Sequence, residues 1–363
     1  MKNILILINV RWWNATAFYA INTARVLQNN NYNVYVGSKK NSPPYLKAVE
    51  YNLKTIDLNF ESFNLFRLIK NFKRALKFIK ENKIEIINAH RSEDHTFSAL
   101  LKIFTKVKFI LTRGDRRKIK NNIFSKLIYS LADKIILTSK SIYRINEKFL
   151  KPFKNKIEII YGSADEEHFK VISNKNKTAK KYRINLKNKI VGMIGRFDYV
   201  KDQYTFVKAA GIVAQKYKNI QFILAGKEEH IKFSEILELS KIYKIENKLK
   251  IFSLLSDIAD LVNLFDIAIV TSIDSETICR VALEYLYLGK AVIGTNVNVI
   301  PEIIKNNYNG IIIEPKNPEQ LADAIIKLLE SKSLLKKMSQ NSKKLYSKYY
   351  SEKVFFKKLK RIF

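Results

Sequence analysis

The sequence predicts two doubly wound α/β halves in tandem. Three observations predict it. Short β-rich apolar runs alternate with longer helical stretches, which is the signature of a parallel sheet covered on both faces. The alternation breaks once and then restarts. The chain has 363 residues, 47% of them apolar, enough for two cores.

The first half opens with a buried strand over 4–8, where Ile4-Leu5-Ile6-Leu7-Ile8 is a continuous apolar run. A helix follows over 15–29, a strand over 33–36, a helix over 63–82 and a strand over 84–88. A helix over 93–104, a strand over 108–111, a helix over 121–131 and a strand over 134–138 continue the pattern. A last strand over 157–160 ends in the turn Tyr161-Gly162-Ser163-Ala164-Asp165. Residues 173–189 are dense in Lys and Asn, a linker composition. The second half then runs through strands over 190–194, 220–224, 249–252, 267–271 and 291–293. Helices over 203–217, 231–243, 278–288 and 318–329 alternate with them. The tail, 331–363, reads as basic helices packed on the domains, with apolar stripes at Leu334, Leu335, Met338, Leu345, Val354, Phe355 and Leu359. The domains expected are 1–170, 171–345 and a C-terminal helix at 346–363 packing back on the first domain. In such sheets ligands bind beyond the carboxyl ends of the strands, and two sheets can face one cleft.

Composition excludes several classes. A single cysteine, Cys279, forbids a disulfide framework, and four scattered histidines leave little for a metal cage. His90 and His95 are five apart, a poor spacing for a shared helical site, so no metal is assigned. The first strand is too short for a signal peptide, and no run reaches the ~18 apolar residues of a membrane span. A cytoplasmic protein is expected. The net charge of +33 suggests a polyanionic partner. The bland reading is compositional drift, since only 13 of the 66 cations are arginine and the lysines are spread from end to end. No nucleic-acid partner is expected. An anionic membrane surface, met peripherally on the inner face of the plasma membrane, fits the charge better.

The densest stretch is 271–295. A strand ends at Thr271, Glu276 lies in the following loop, and Thr277, Ile278, Cys279 and Arg280 open a helix whose N–H groups form an anion site. Glu276 could simply favour the helix dipole. Glu284, among Val281, Leu283 and Leu286, would be half buried, which costs energy without a partner.

Glu276, seven residues, then Glu284, followed by Gly289-Lys290-Ala291-Val292-Ile293, resembles the EX7E motif of the retaining GT-B glycosyltransferases of family 4. Asp257, Asp266, Ser272, Pro301-Glu302-Ile303-Ile304 and Gly310 fall at that family's spacing. Gly195-Arg196 with Lys201 is similar to its G-R-x-x-x-x-K element, Ala225-Gly226-Lys227 to part of its G-x-G turn, and Tyr161-Gly162 with Asp165 and Phe169 to its n-G-v-D element. The resemblance implies a GT-B fold of two Rossmann-like domains with the donor domain C-terminal. It implies that Arg196 and Lys201, with Gly195, hold the donor diphosphate, and that Glu276 contacts the transferred sugar. Thr277, Ile278, Cys279 and Arg280 would line the donor, Glu284 would take the ribose hydroxyls, and the loop at Leu254 would pass the nucleobase. The donor is a nucleotide sugar used as substrate; no cofactor and no metal are implied.

Departures from the family are specific. Thr277-Ile278-Cys279 replaces Gly-Phe-Gly after Glu276, Asn298-Val299 replaces a glycine pair, and Arg11-Trp12-Trp13-Asn14 replaces a glycine-rich first loop. In the first half Asn88-Ala89-His90 is similar to the family's strand end, while Arg113-Gly114-Asp115 stands where a histidine is common. Asn14, His90, Arg113 and Asp115 are the candidates for acceptor or donor contacts. The expected function is transfer of a sugar, with retention, to a hydroxyl of a cell-envelope glycan or lipid-linked acceptor, of lipopolysaccharide or capsule type. The rivals are a sugar-nucleotide-binding module without turnover and a basic nucleic-acid binder.

Overall fold

The computed structural model describes residues 2–59, 65–253 and 255–363, with the backbone alone at 65 and 67. The chain forms two compact units, Met1–Gly162 with Glu352–Phe363, and Ser163–Ser351.

The first unit runs β1 (Asn3–Leu7), α1 (Ala15–Gln28), β2 (Asn33–Ser38), α2 (Pro43–Glu50), β3 (Lys54–Asp57), α3 (Leu65–Glu81), β4 (Ile86–Ala89), α4 (Ser92–Phe104), β5 (Lys108–Arg113), α5 (Ile123–Leu131), β6 (Lys134–Leu137), α6 (Lys140–Ile145), α7 (Glu147–Leu150) and β7 (Ile157–Ile159). The second runs α8 (Lys175–Lys181), β8 (Lys189–Ile194), α9 (Gln203–Lys216), β9 (Ile220–Ala225), α10 (Phe233–Ile242), β10 (Leu249–Phe252), α11 (Ile258–Asn263), β11 (Ile267–Val270), α12 (Arg280–Tyr287), β12 (Ala291–Thr295), α13 (Ile300–Ile303), β13 (Gly310–Ile313), α14 (Pro318–Glu330) and α15 (Lys332–Tyr349). Then α16 (Glu352–Leu359) returns to the first unit.

Both sheets are wholly parallel, in the orders β3-β2-β1-β4-β5-β6-β7 and β10-β9-β8-β11-β12-β13. Parallel strands need crossovers, so both faces are covered and the central strands are mostly apolar. Ile4 to Leu7 and Ile267 to Ile269 have no exposed surface. Several helix starts are capped by side chains: Asn14 Oδ1 accepts from Ala17 N–H at 2.9 Å, and Asp202 Oδ1 from Thr205 N–H at 3.1 Å.

Several elements escaped the sequence reading. The edge strands β3 and β13 are four residues each and carry little periodic signal. Residues 173–189 are not a bare linker. They contain α8, capped by Asn174, and Lys181 pairs with Asp257 at 2.6 Å. Ile172 and Ser173 donate their N–H groups to Asp260 at 2.7 and 3.0 Å. Polar contacts hold this stretch on the second unit, which apolar patterning does not register. The start expected for the helix at 63 lies outside the described residues.

The unit edges fall at 162/163 and 351/352, against 170/171 and 345/346 from composition. Tyr346 on α15 explains the shift. Its hydroxyl accepts from Ala164 N–H at 3.2 Å and donates to Glu166 at 2.8 Å, so the 163–166 turn belongs with α15. Within the first unit, α16 lies on α1. Phe355 meets Tyr19 edge-on at 5.4 Å between ring centres, Arg25 pairs with Glu352, and Phe355 and Leu359 are buried.

Candidate active site

In each sheet the strand order reverses once, between β1 and β4 and between β8 and β11, and such switch points are where doubly wound sheets bind ligands. In the second unit the two loops leaving the switch point carry the candidates. The loop after β8 holds Gly195, Arg196 and Lys201; the loop after β11 holds Glu276. They are tied together by Thr271 Oγ1 donating to Lys201 O at 2.7 Å and Ile273 N–H to Val200 O at 2.9 Å. Gly226 passes so close to this loop that a Cβ there would lie 1.9 Å from Gly195 O. That explains why the degraded G-x-G turn keeps this glycine.

Lys201 Nζ forms an ion pair with Glu276 Oε1, which also accepts from Ser272 Oγ at 2.7 Å. Burial works against the Lys201 charge, but the facing carboxylate outweighs it and the ammonium titrates above its usual range. Both side chains are largely buried, so the pair sits where its field is poorly screened.

Glu284 is buried on α12, deeper than half, and its partner is Arg280 one turn earlier, Nε to Oε1 at 2.8 Å. Burial pushes the Glu284 carboxyl above its ordinary value and Arg280 opposes this. The helix begins at Arg280 rather than 278, because Cys279 at the N-cap adopts φ 47°. This is a left-handed residue at a position where the resembled family carries glycine. Thr277 and Ile278 are buried beside it. The Cys279 thiol is buried and held well above its usual pKa.

Arg196 differs from Lys201. It is nearly half exposed and faces Asp198 at 3.4 Å and Glu229 at 4.0 Å. Leu254 lies outside the described residues. Sequence reasoning passed over Ser272 as a Glu276 partner and Asp198 as the hub of its loop; Asp198 also faces His230 Nδ1 at 3.2 Å.

In the first unit, Asn14 is the cap of α1. His90, fully buried after β4, shares a hydrogen bond with Asn88 Oδ1 at 2.7 Å, and its Nδ1 finds no hydrogen-bond partner among the described residues. Arg113, at the end of β5, reaches Asp115 at 3.0 Å and the Arg117 carbonyl. The sequence reading missed Asn9 and Asp94. Asn9 follows β1, and its side-chain amide donates to the buried Asp94 at 2.9 Å. A carboxylate four residues after His90 was the available signal. Among the described residues no cluster of three or more His, Cys, Asp or Glu could hold a metal ion, and no helix is long and apolar enough to cross a membrane.

The family described as "Glycosyl transferases group 1" matches residues 174–345, and "Glycosyl transferase 4-like" matches residues 4–139. The chain belongs to the group 1 glycosyltransferases. This glycosyltransferase is 26% identical to an uncharacterized glycosyltransferase of Methanocaldococcus jannaschii, over 91% of this chain and 95% of that one. It is 25% identical to the N,N'-diacetylbacillosaminyl-diphospho-undecaprenol alpha-1,3-N-acetylgalactosaminyltransferase of Campylobacter jejuni, over 82% of each. Among solved structures, Anabaena HepE in complex with UDP superposes with a TM-score of 0.85 at 16% identity, over 100% of this chain and 99% of that one. The fold is therefore GT-B, with two Rossmann-like parallel-sheet domains.

Proposed function

We propose that this glycosyltransferase moves a sugar from a nucleotide-sugar donor to a hydroxyl of a cell-envelope glycan or lipid-linked acceptor, with retention at the anomeric carbon. One observation carries the reading: two buried carboxylates, Glu276 and Glu284, each paired with a cation, stand after β11 with seven residues between them, at the second sheet's switch point. A pair of this kind has little structural rationale on its own, because burying charge is costly. It suits a polyhydroxy, anionic ligand that exchanges for the existing partners.

In this reading the donor diphosphate takes Lys201 and Arg196, two fixed cations that offset the charge growing on the leaving group. Lys201 then trades its contact with Glu276 for phosphate oxygen, which frees the Glu276 carboxylate for the sugar. Glu284 takes the ribose hydroxyls. The bond from the anomeric carbon to the diphosphate oxygen breaks with its electron pair going to the diphosphate. The acceptor oxygen forms the new bond on the same face and its proton leaves with the diphosphate. The UDP held by Anabaena HepE supports a nucleoside diphosphate here. The diphospho-undecaprenol in the Campylobacter relative's name supports a lipid-linked envelope acceptor, and hence a cytoplasmic protein working peripherally at a membrane. With two side-chain cations at the diphosphate, no metal is required.

The test is a panel of nucleotide sugars incubated with excess EDTA and read by released nucleoside diphosphate. One donor is expected to give release without acceptor, unchanged by EDTA. Binding of nucleotide with no release from any donor would indicate a module without turnover. Release that returns only on adding Mg²⁺ or Mn²⁺ would contradict the metal-independent part.

A further inference from the structure

Large apolar side chains exposed to solvent are unevenly distributed. Among the described residues 19 are exposed, and eight of these lie on α3, α4 and α5 of the first unit. The three helices are the crossovers leading into β4, β5 and β6, so they pack side by side on one face of the sheet. Between α3 and α4 runs a groove of about 580 Å³, lined by Ile69, Phe72, Phe97, Leu100 and Phe104. Phe104 is 67% exposed, and on α5 Ile123 and Phe124 are 77% and 73% exposed. Exposed apolar side chains concentrated in this way on neighbouring helices mark an interaction surface.

The rim of the face is mainly cationic: Lys73 and one acidic residue, Glu93, border the groove, and the α5 side is wholly basic. From Arg116 to Ala132 the sequence has Arg116, Arg117, Lys118, Lys120 and Lys126 and no acidic residue. A second pocket, about 380 Å³ between α4 and α5, is lined by Arg113, Arg117, Lys118 and Lys120 and meets the apolar groove at Thr96. By contrast the tail, whose apolar stripes could have served a membrane, buries Met338, Phe355 and Leu359.

We propose that the α3–α5 face is a docking surface for an anionic lipid bilayer, with Phe104 and Phe124 entering the acyl boundary and the α4/α5 pocket receiving lipid phosphate. The charge selects this occupant. A second copy of the chain would bring like-charged rims together, whereas anionic lipid gains about 1 kcal/mol per suitably placed cation. Apolar burial of the phenylalanines adds an attraction that salt does not screen. The proposal rests on the membrane-linked acceptor reading above.

Flotation of the full chain with phosphatidylcholine vesicles, with and without 30% phosphatidylglycerol, tests it. The wild type is expected to float with anionic vesicles and to be weakened by salt. Phe104→Ser with Phe124→Ser is expected to lose about tenfold in binding, and Lys118→Glu with Lys120→Glu about tenfold or more. Ile242→Ser, an exposed residue of the second unit, serves as control and is expected to bind as wild type. Thermal melts of all variants are expected to agree, since every altered side chain is exposed. Undiminished binding by both double variants overturns the surface but leaves the membrane reading standing. A wild type that ignores anionic vesicles at low salt overturns both. A dimer abolished by the phenylalanine changes, with vesicle binding intact, assigns the face to a second copy and also overturns it.

Discussion

Cys279 shows what a single substitution against family habit costs. The resembled family places glycine where this chain has Cys279, and the backbone still takes the left-handed turn, with φ 47°. A residue with a Cβ pays about 1–2 kcal/mol there. The thiol is buried beside Glu276 and Lys201, whose charges both bear on its titration. Comparing Cys279→Gly with Cys279→Ala separates the backbone cost from loss of the thiol, because both remove the sulfur. The glycine variant is expected to be more stable by about 1 kcal/mol in urea unfolding. Equal stability, or a more stable alanine variant, would show that the turn is not strained. The substitution was visible in the sequence. Its conformational meaning was not, because a left-handed residue leaves no periodic trace.

The junction of β4 and α4 in the first unit is a buried titrating element. Burial lowers His90 to about 3 and His95 to about 4, while it raises Asp94 to about 7 against two hydrogen bonds from Asn9. His95 also shares a hydrogen bond with Thr112 O at 2.9 Å. A histidine lowered on folding contributes stability that is full above its unfolded value near 6.5 and is lost as pH falls toward the folded value. A carboxyl raised on folding acts in the opposite sense between its ordinary value and 7. Across pH 4 to 6.5 the unfolded chain therefore binds two more protons at the histidines and one fewer at Asp94. One net proton remains, so stability falls with acidification by about 1 kcal/mol per pH unit from this junction. His95→Gln removes one histidine from the balance and is expected to flatten that slope, measured by urea unfolding at several pH values. A slope unchanged by the substitution would contradict the assignment. The histidine at 90 was legible as a strand-end residue. Its lack of charge was not, because that depends on complete burial and on His95 beside it in the folded chain.

At the scale of the molecule, the alternation of apolar runs and helices specified both parallel sheets, since buried parallel strands leave continuous apolar segments such as Ile4–Leu7. The short edge strands and the polar-held α8 left no comparable signal, and the return of α16 to the first unit depends on contacts made by Tyr19 and Arg25. In the site, the spacing of Glu276 and Glu284 was legible. Their present partners, Lys201 and Arg280, were legible as residues but not as pairs, because a loop brings Lys201 across from a neighbouring strand.

The central claim is a division of labour between those carboxylates. Glu284 is expected to bind the nucleoside in ground and transition states alike, so Glu284→Ala raises KM for the donor with kcat nearly intact, and Glu284→Gln is milder. Glu276 is expected to act where positive charge develops on the sugar, a contact typically worth ~2–4 kcal/mol, so Glu276→Gln is expected to lower kcat by roughly 10²–10³. Steady-state kinetics of the three variants with the donor found in the panel is the measurement. A near-normal kcat for Glu276→Gln together with an abolished kcat for Glu284→Gln would contradict the account.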